Sequence, residues 1–184
     1  MRARPLLPAL ALLAVATPAV ATQHKAAKPT THPAHAAAGP TPIGRFEDWT
    51  AATNKEAGQT VCYAFTRASA ASPTLPGRGD VVMTVTERPA GRDAVAISAG
   101  FVYAADAVAT VTAGSGKFDF YTAGRSAFAQ DGHAAVLAFQ RARQLQARSP
   151  APKGKTVTDS FSLHGFTAAY AAIQKACPSG KGAS

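Results

Sequence analysis

Two cysteines are the residues of this chain with the most definite chemistry. Cys62 lies in an alternating segment early in the folded region, and Cys177 closes the last amphipathic segment. An exported chain with an even number of cysteines is expected to pair them, and no CxxC pattern or nearby histidine cluster favours a metal site. We therefore predict a Cys62–Cys177 disulfide, worth about 4 to 5 kcal/mol in the chain-entropy model. A free or metal-binding thiol is the alternative.

Motifs for catalysis are missing from the sequence. It has no GxSxG, SxxK or HExxH pattern and no glycine-rich phosphate loop with its lysine. His133 and His164 are the histidines of the folded region, and Asp159 is the one acid in the basic C-terminal part. A hydrolase would need these residues to meet in a cleft with a second acid or a nucleophile. We predict no catalytic residues and keep a periplasmic hydrolase of a glycan or ester as the alternative.

Three N-terminal histidines, His24, His32 and His35, could bind a metal. If a signal peptide is cleaved after Ala21, a free amine and a histidine in third place could hold Cu(II) or Ni(II) in a square of nitrogens. The other interpretation is that these histidines are incidental residues of a solvated tether. We predict no firm metal site and no cofactor, with copper binding as a further alternative.

Charge is concentrated towards the C-terminus of a basic chain. The formal net charge is +9, and five cations lie close together in sequence. We name them the basic strip: Arg141, Arg143, Arg148, Lys153 and Lys155. The strip is a candidate anion-binding site for lipid headgroups or polyanionic glycans, or else simply a solvated face. Nucleic acid is excluded as a partner because the chain is exported and no aromatic residues interleave with these charges.

The tripeptide Arg78-Gly79-Asp80 has a second possible chemistry. On a loop tip it could present a cation and a carboxylate to an integrin. Turn chemistry accounts for Gly77 and Gly79 equally well, with Asp80 as the first residue of a strand. We predict a turn here and no integrin site.

The chain divides into four regions by composition. Residues 1–21 have the charged start, apolar run and small-residue cleavage site of a secretory signal peptide. Residues 22–44 form an Ala/Pro/His linker that buries too little apolar surface to fold. A domain over residues 45–177 and a disordered tail over 178–184 follow. We predict a periplasmic or secreted protein without a transmembrane segment in its mature form.

Alternating apolar residues predict a mainly β domain, an antiparallel β-sandwich with two short helices. Residues 156–163 are a predicted strand in which Val157, Phe161 and Leu163 share one face. A helix follows, with Thr167 as its predicted N-cap and with the disulfide at its end. We predict an earlier helix with Asp131 as its N-cap. One side of this helix holds Ala134, Leu137, Ala138 and Arg141, and Pro150 and Pro152 predict a loop after the helix. The other predicted strands are 45–51, 60–67, 80–87, 94–103, 107–112, 117–122 and 126–129.

Short segments in order resemble the invasion-associated locus B family of exported alphaproteobacterial proteins. The resemblance runs from about Phe46 to Cys177. It rests on these segments: Asp48-Trp49, Val61-Cys62-Tyr63, Arg78-Gly79-Asp80-Val81, Val85-Thr86-Glu87-Arg88-Pro89, Ala99-Gly100-Phe101-Val102-Tyr103, Phe118-Asp119-Phe120-Tyr121-Thr122, Thr158-Asp159-Ser160-Phe161-Ser162-Leu163-His164-Gly165-Phe166, and Ala172-Ile173 through Lys175-Ala176-Cys177.

The resemblance implies a β-sandwich, export, and a link to bacterial entry into host cells. It implies no enzyme and offers no catalytic residues. We therefore expect an exported, non-catalytic binding or interaction module whose partner is an envelope or host component.

Overall fold

The computed structural model describes residues 39–179. The predicted signal peptide, His24, His32 and His35 lie outside the described residues. Within the described part of the chain, no helix is long and apolar enough to cross a membrane.

Eleven strands form one antiparallel sheet, in the order β1-β2-β3-β5-β6-β9-β8-β7-β10-β11-β4. Period-two alternation of buried and exposed residues sets which face of each strand meets the core. The strands are β1 (Thr41–Phe46), β2 (Trp49–Glu56), β3 (Gln59–Arg67), β4 (Ala70–Ser72), β5 (Val82–Arg88), β6 (Gly91–Ser98), β7 (Val108–Ala113), β8 (Gly116–Ala123), β9 (Ser126–Ala129), β10 (Gln144–Ala151) and β11 (Lys155–Ser162). Within residues 39–179 the α-helices are α1 (Gly132–Phe139) and α2 (Phe166–Ala176), and a short 3₁₀ helix (Pro152–Gly154) joins β10 to β11.

The sheet turns back on itself at the junction of β3 and β4. Only Ala68 and Ser69 separate these strands, yet β3 pairs with β2 and β5 while β4 pairs with β11 at the far end of the strand order. A chain that continues from one position into the other must bring the two ends of the sheet together around a core. The layers of the predicted sandwich are therefore parts of one continuous sheet, and the mainly β antiparallel fold is confirmed.

Helix α2 packs on the sheet through the predicted face. Phe166, Ala169, Tyr170 and Ile173 are buried, and the rings of Trp49 and Phe166 lie 4.8 Å apart. At the end of the helix, Cys177 forms the predicted disulfide with Cys62, across a separation of 115 residues. The C-terminal helix is therefore fastened to the sheet both by apolar packing and by a covalent bond.

The start of α2 differs from the prediction. The N-cap is Gly165, with φ +84°, and Thr167 lies inside the helix and is exposed. A Cβ atom at Gly165 would lie 2.1 Å from the Phe46 carbonyl oxygen. The close approach of β1 thus requires glycine at the cap, and the helix begins two residues earlier than a Thr167 cap allows.

Helix α1 is capped as predicted, since the Asp131 side chain accepts a hydrogen bond from the Ala134 amide at 2.9 Å. Its predicted inner face is wrong. Ala135, Val136 and Phe139 are buried, whereas Leu137 is 38% exposed. The alanine-rich sequence of α1 gives a weak periodic signal, so packing against β6 determines which face is buried.

Two strand predictions also need correction. A turn at Glu47, with φ +49°, divides the predicted strand 45–51 into β1 and β2. Strand β1 also begins earlier than predicted, at Thr41, which lies inside the predicted linker. Pro150 lies within β10 instead of a loop. The pairing of β10 with β7 ends at Arg148, so beyond that residue the missing N–H of proline interrupts no ladder on the β7 side.

Candidate functional site

The basic strip follows β10 and its two ends. Arg148 lies on the outer face of β10, opposite Thr110 of β7 and Thr158 of β11. Arg143 precedes β10, and Lys153 and Lys155 follow it, roughly 25 to 30 Å away at the usual rise of an extended strand. All five strip residues are exposed. The strip is therefore an extended row of cations along an internal strand and is not one compact site.

The two ends of the strip border different concave surfaces. Arg143 lines an open groove of about 670 Å³ with His164 and Thr167, and Arg141 borders a separate groove beside α1. Lys153 and Lys155 line a cleft of about 290 Å³ between residues 75–78 and the β10–β11 turn. We name this the lysine cleft; its lining residues are Leu75, Pro76, Gly77, Arg78, Gly100, Phe101, Pro152, Lys153 and Lys155.

The floor of the lysine cleft is a buried ion pair. The Arg78 Nη1 and Nη2 atoms donate to the two carboxylate oxygens of Asp159 at 2.6 and 2.7 Å, and Nε donates to the Ala99 carbonyl oxygen at 2.7 Å. The Arg78 and Asp159 side chains are only 7% and 1% exposed. The Arg78 guanidinium also lies 5.1 Å from the centre of the Phe101 ring. Because this pair is neutral as a whole, the positive charge of the cleft comes from the lysines.

Lys153 has an unusual backbone conformation. It lies in the left-handed region, with φ +63° and ψ +34°, and Gly154 follows with φ +68°. Among residues 39–179, neither the Lys153 nor the Lys155 ammonium forms an ion pair or a hydrogen bond. A left-handed backbone at a residue other than glycine occurs often at ligand sites, so Lys153 is a candidate ligand residue.

A second cluster of charged groups lies beneath α2, and a β-bulge creates it. The pairing of β5 with β6 shifts between Thr86 and Arg88, so Glu87 faces both Arg92 and Asp93. In a bulge two residues oppose one, and here all three charged side chains reach the helix-covered side. Gly132 of α1 packs directly on this bulge, since a Cβ there would lie 1.8 Å from the Asp93 carbonyl oxygen.

Within this acid cluster, Asp93 is well bonded and Glu87 is not. Tyr170 donates to Asp93 Oδ1, and His133 Nδ1 lies 2.7 Å from Asp93 Oδ2. Arg92 Nε lies 2.5 Å from Glu87 Oε2 and donates from Nη1 to the Cys177 carbonyl oxygen at 2.6 Å. The approach of Arg92 is poorly directed, so neither oxygen of the fully buried Glu87 receives a hydrogen bond.

The two carboxyl groups of the cluster therefore differ in pKa. Burial is the main cause that raises the pKa of Glu87 to about 7. A hydrogen bond from the protonated Glu87 to Asp93 and the negative charge of Asp93 raise it further, whereas the positive charge of Arg92 lowers it. Burial would also raise the pKa of Asp93, but hydrogen bonds from Tyr170, His133 and Glu87 outweigh it and lower that pKa. Burial and the Asp93 carboxylate raise the pKa of Tyr170. Glu87 is therefore the carboxyl group of this cluster that takes up a proton as the pH falls through about 7.

Comparison with known proteins identifies the family. The family described as Invasion associated locus B (IalB) protein matches residues 49–174, most of the described chain. The chain belongs to the IalB family. No curated protein matches the sequence.

A solved structure agrees with the fold of this IalB chain. The crystal structure of invasion associated protein B from Bartonella henselae is similar to it, with a TM-score of 0.52 and 19% sequence identity. The likeness covers 72% of this chain and 97% of that chain. At this identity it shows the fold alone. The family and the disulfide fit an exported protein.

The three residues considered for hydrolysis lie apart in the IalB fold. Asp159 is paired with Arg78, while His164 is exposed, with its Nδ1 atom 4.0 Å from Glu47 Oε2. The His133 side chain is 69% exposed and contacts Asp93, a residue that the sequence had not indicated as a partner. Asp159, His133 and His164 therefore do not form a common site. In the described part of the chain, no group of three or more His, Cys, Asp or Glu residues could hold a metal ion.

The Arg78-Gly79-Asp80 tripeptide of this IalB chain does not present its charges together. Arg78 points into the cleft floor, and Asp80 pairs with Arg67 at the surface. Asp80 also lies outside β5, which begins at Val82, so its prediction as a strand residue is wrong. The geometry excludes the exposed cation and carboxylate that an integrin would need.

Sequence reasoning missed the acid cluster, although part of its signal was present. Glu87 follows Met83 and Val85 at a spacing of two, which places it on their buried face. Asp159 has the same relation to Val157 and Phe161. A charged residue in phase with buried apolar residues predicts an internal partner. The bulge that brings Asp93 to Glu87 has no comparable signal.

Proposed function

We propose that this IalB protein is an exported, non-catalytic binding protein that contacts an anionic component of the cell envelope through the basic strip. Arg148 and the cations at both ends of β10 line one side of the sheet. The summed charge of such a group of cations attracts an anionic surface at long range, even where no single cation makes a close contact with it.

The single observation that carries the proposal is that the positive charges of the basic strip have no acidic partners among the described residues. Among the described residues, no acidic side chain pairs with any strip cation, whereas Arg67, Arg78, Arg88 and Arg92 each have an acidic partner. Cations held next to carboxylates contribute little to a distant anion, whereas the unpaired strip cations keep their full charge for an anion that approaches that side. Family membership extends the proposal to a host component, if the protein leaves the cell.

The absence of catalysis is part of the proposal. It is supported by the separation of Asp159, His133 and His164 and by a fold whose family implies no reaction. In the acid cluster, Glu87 and Asp93 are buried beneath α2, where a substrate cannot reach the two carboxyl groups.

Retention on vesicles tests the proposal. The mature protein should bind phosphatidylglycerol-containing vesicles at low salt and not phosphatidylcholine vesicles, and it should dissociate as salt shortens the screening length from about 10 Å at 0.1 M to about 3 Å at 1 M. The triple variant Arg141→Gln/Arg143→Gln/Arg148→Gln should lose most of this retention. Lys175→Gln, an exposed residue in the last turn of α2, is the control and should retain it. Binding that ignores salt and the triple variant would contradict the proposal.

A further inference from the structure

We propose that the lysine cleft binds a phosphate monoester carried on a sugar. This inference rests on the proposed anion-binding function and names the ligand class for one end of the strip. The cleft combines two unpaired ammonium groups with an apolar wall, within a volume of about 290 Å³. That volume lies at the lower end of the range of roughly 300 to 1,000 Å³ for ligand pockets, so it accommodates one sugar-sized group.

The charges of the cleft match a phosphate better than a carboxylate. Lys153 and Lys155 supply two compact point charges, and a phosphate monoester carries about −1.5 to −2 at neutral pH. A carboxylate carries only one negative charge, and lysine binds phosphate as a point charge without the planar fork of arginine. The one arginine in the cleft, Arg78, already uses its fork on Asp159.

The remaining walls of the cleft match a sugar ring. Leu75, Pro76 and Pro152 give apolar surfaces, and Phe101, which is 8% exposed, also lines the cleft. Rings with apolar faces and polar edges pack against such surfaces, while their phosphate reaches the lysines at the rim. Free inorganic phosphate would use only the lysines and leave this wall uncovered.

The cleft is held in shape before any ligand arrives. Residues 75–78 are fixed by the Arg78–Asp159 pair and by the Gly79 amide, which donates to the Gly100 carbonyl oxygen at 3.0 Å. The β10–β11 turn is fixed by the pairing of Ala151 with Lys155. A preformed site loses less conformational entropy on binding.

Two ligand sources share this chemistry: a free sugar phosphate and the headgroup of a phosphorylated glycolipid. Glucose 1-phosphate, glucose and inorganic phosphate are titrated separately into the protein, with amide NMR shifts of Gly77, Gly100 and Lys155 as the readout. Phosphatidylcholine vesicles with and without lipid A test the glycolipid source. The variant is Lys153→Asn/Lys155→Gln, because asparagine tolerates the left-handed backbone at position 153. The matched control is Lys55→Gln/Lys175→Gln, which removes the same charge at two exposed lysines outside the basic strip.

We expect glucose 1-phosphate to shift these amides and glucose to have no effect. The Lys153→Asn/Lys155→Gln variant should bind at least about tenfold more weakly, while the Lys55→Gln/Lys175→Gln control binds normally. Lysine-dependent binding of lipid A vesicles alone would support the glycolipid source. If neither ligand depends on the two lysines, the inference is overturned, even where salt-sensitive retention on phosphatidylglycerol vesicles persists and the proposed function stands. Equal binding of glucose 1-phosphate and inorganic phosphate would overturn the sugar part.

Discussion

Replacing Glu87 with glutamine isolates the buried carboxyl group beneath α2 and predicts a change in how stability depends on pH. In the wild-type protein, the pKa of Glu87 rises from 4.5 to about 7, mainly through burial. Between these pH values the folded protein holds a proton that the unfolded chain has released, so the free energy of unfolding falls as the pH rises. The full difference corresponds to about 3 kcal/mol, and coupling to Asp93 makes this an upper bound.

Asp93 produces the opposite slope at lower pH. Its pKa is lowered below 3.8 by hydrogen bonds that outweigh burial. The stability that it contributes is present above 3.8 and is lost as the pH falls through its folded-state pKa. With respect to this cluster, the wild-type protein should be most stable between the two limbs, near pH 4 to 5, and should lose stability on either side.

Glu87→Gln should remove the upper limb alone. A glutamine amide resembles the protonated carboxyl group, so the variant should match the wild type within about 1 kcal/mol at pH 5 and exceed its stability by about 2 to 3 kcal/mol at pH 8. Urea unfolding at several pH values measures this, with fluorescence of Trp49, the single tryptophan and fully buried, as the signal. The control is Glu56→Gln, whose carboxylate is about half exposed and pairs with Arg88. Parallel pH profiles for wild type and Glu87→Gln would refute the reasoning.

Two other perturbations test the framework of the fold. Removing the disulfide in Cys62→Ala/Cys177→Ala should lower the free energy of unfolding by about 4 to 5 kcal/mol in the chain-entropy model, and urea unfolding beside the oxidised wild type measures it; an unchanged midpoint would mean that the bridge constrains little. Asp159→Asn leaves the Arg78 cation buried without its carboxylate and should cost about 3 to 5 kcal/mol by the same assay, whereas Asp80→Asn, at an exposed pair, should cost less than about 1 kcal/mol. Equal effects of the two asparagine variants would contradict the buried role of Asp159.

The C-terminal segment was predictable because its two periods are long and uninterrupted. Val157, Phe161 and Leu163 repeat at two residues, Phe166 to Ile173 repeat at three or four, and both faces are buried as expected. The disulfide followed from having only two cysteines in a chain predicted to be exported. These signals are local, and local signals survive without knowledge of the rest of the fold.

The errors arise where a distant contact overrides a local preference. Thr167 is a better capping residue than glycine, yet the carbonyl of Phe46 leaves room only for Gly165. Pro150 is a strand breaker by propensity, yet it lies where the ladder to β7 has already ended. The partner of Asp159 is 81 residues away in sequence. None of these contacts can be read from the residues on either side.

The two buried carboxylates explain why the binding surface and the sensitive core are separate features of this fold. Asp159 receives both Nη atoms of Arg78, so its charge is compensated in place and the loop that carries Arg78 is fixed as one wall of the lysine cleft. Glu87 is buried beside the poorly directed guanidinium of Arg92 and the carboxylate of Asp93. Its pKa is therefore raised, and it takes up a proton near neutral pH. A change of pH near neutrality should therefore alter the support of α2 while the floor of the cleft stays intact. Binding at the cleft and stability beneath the helix should respond to pH independently.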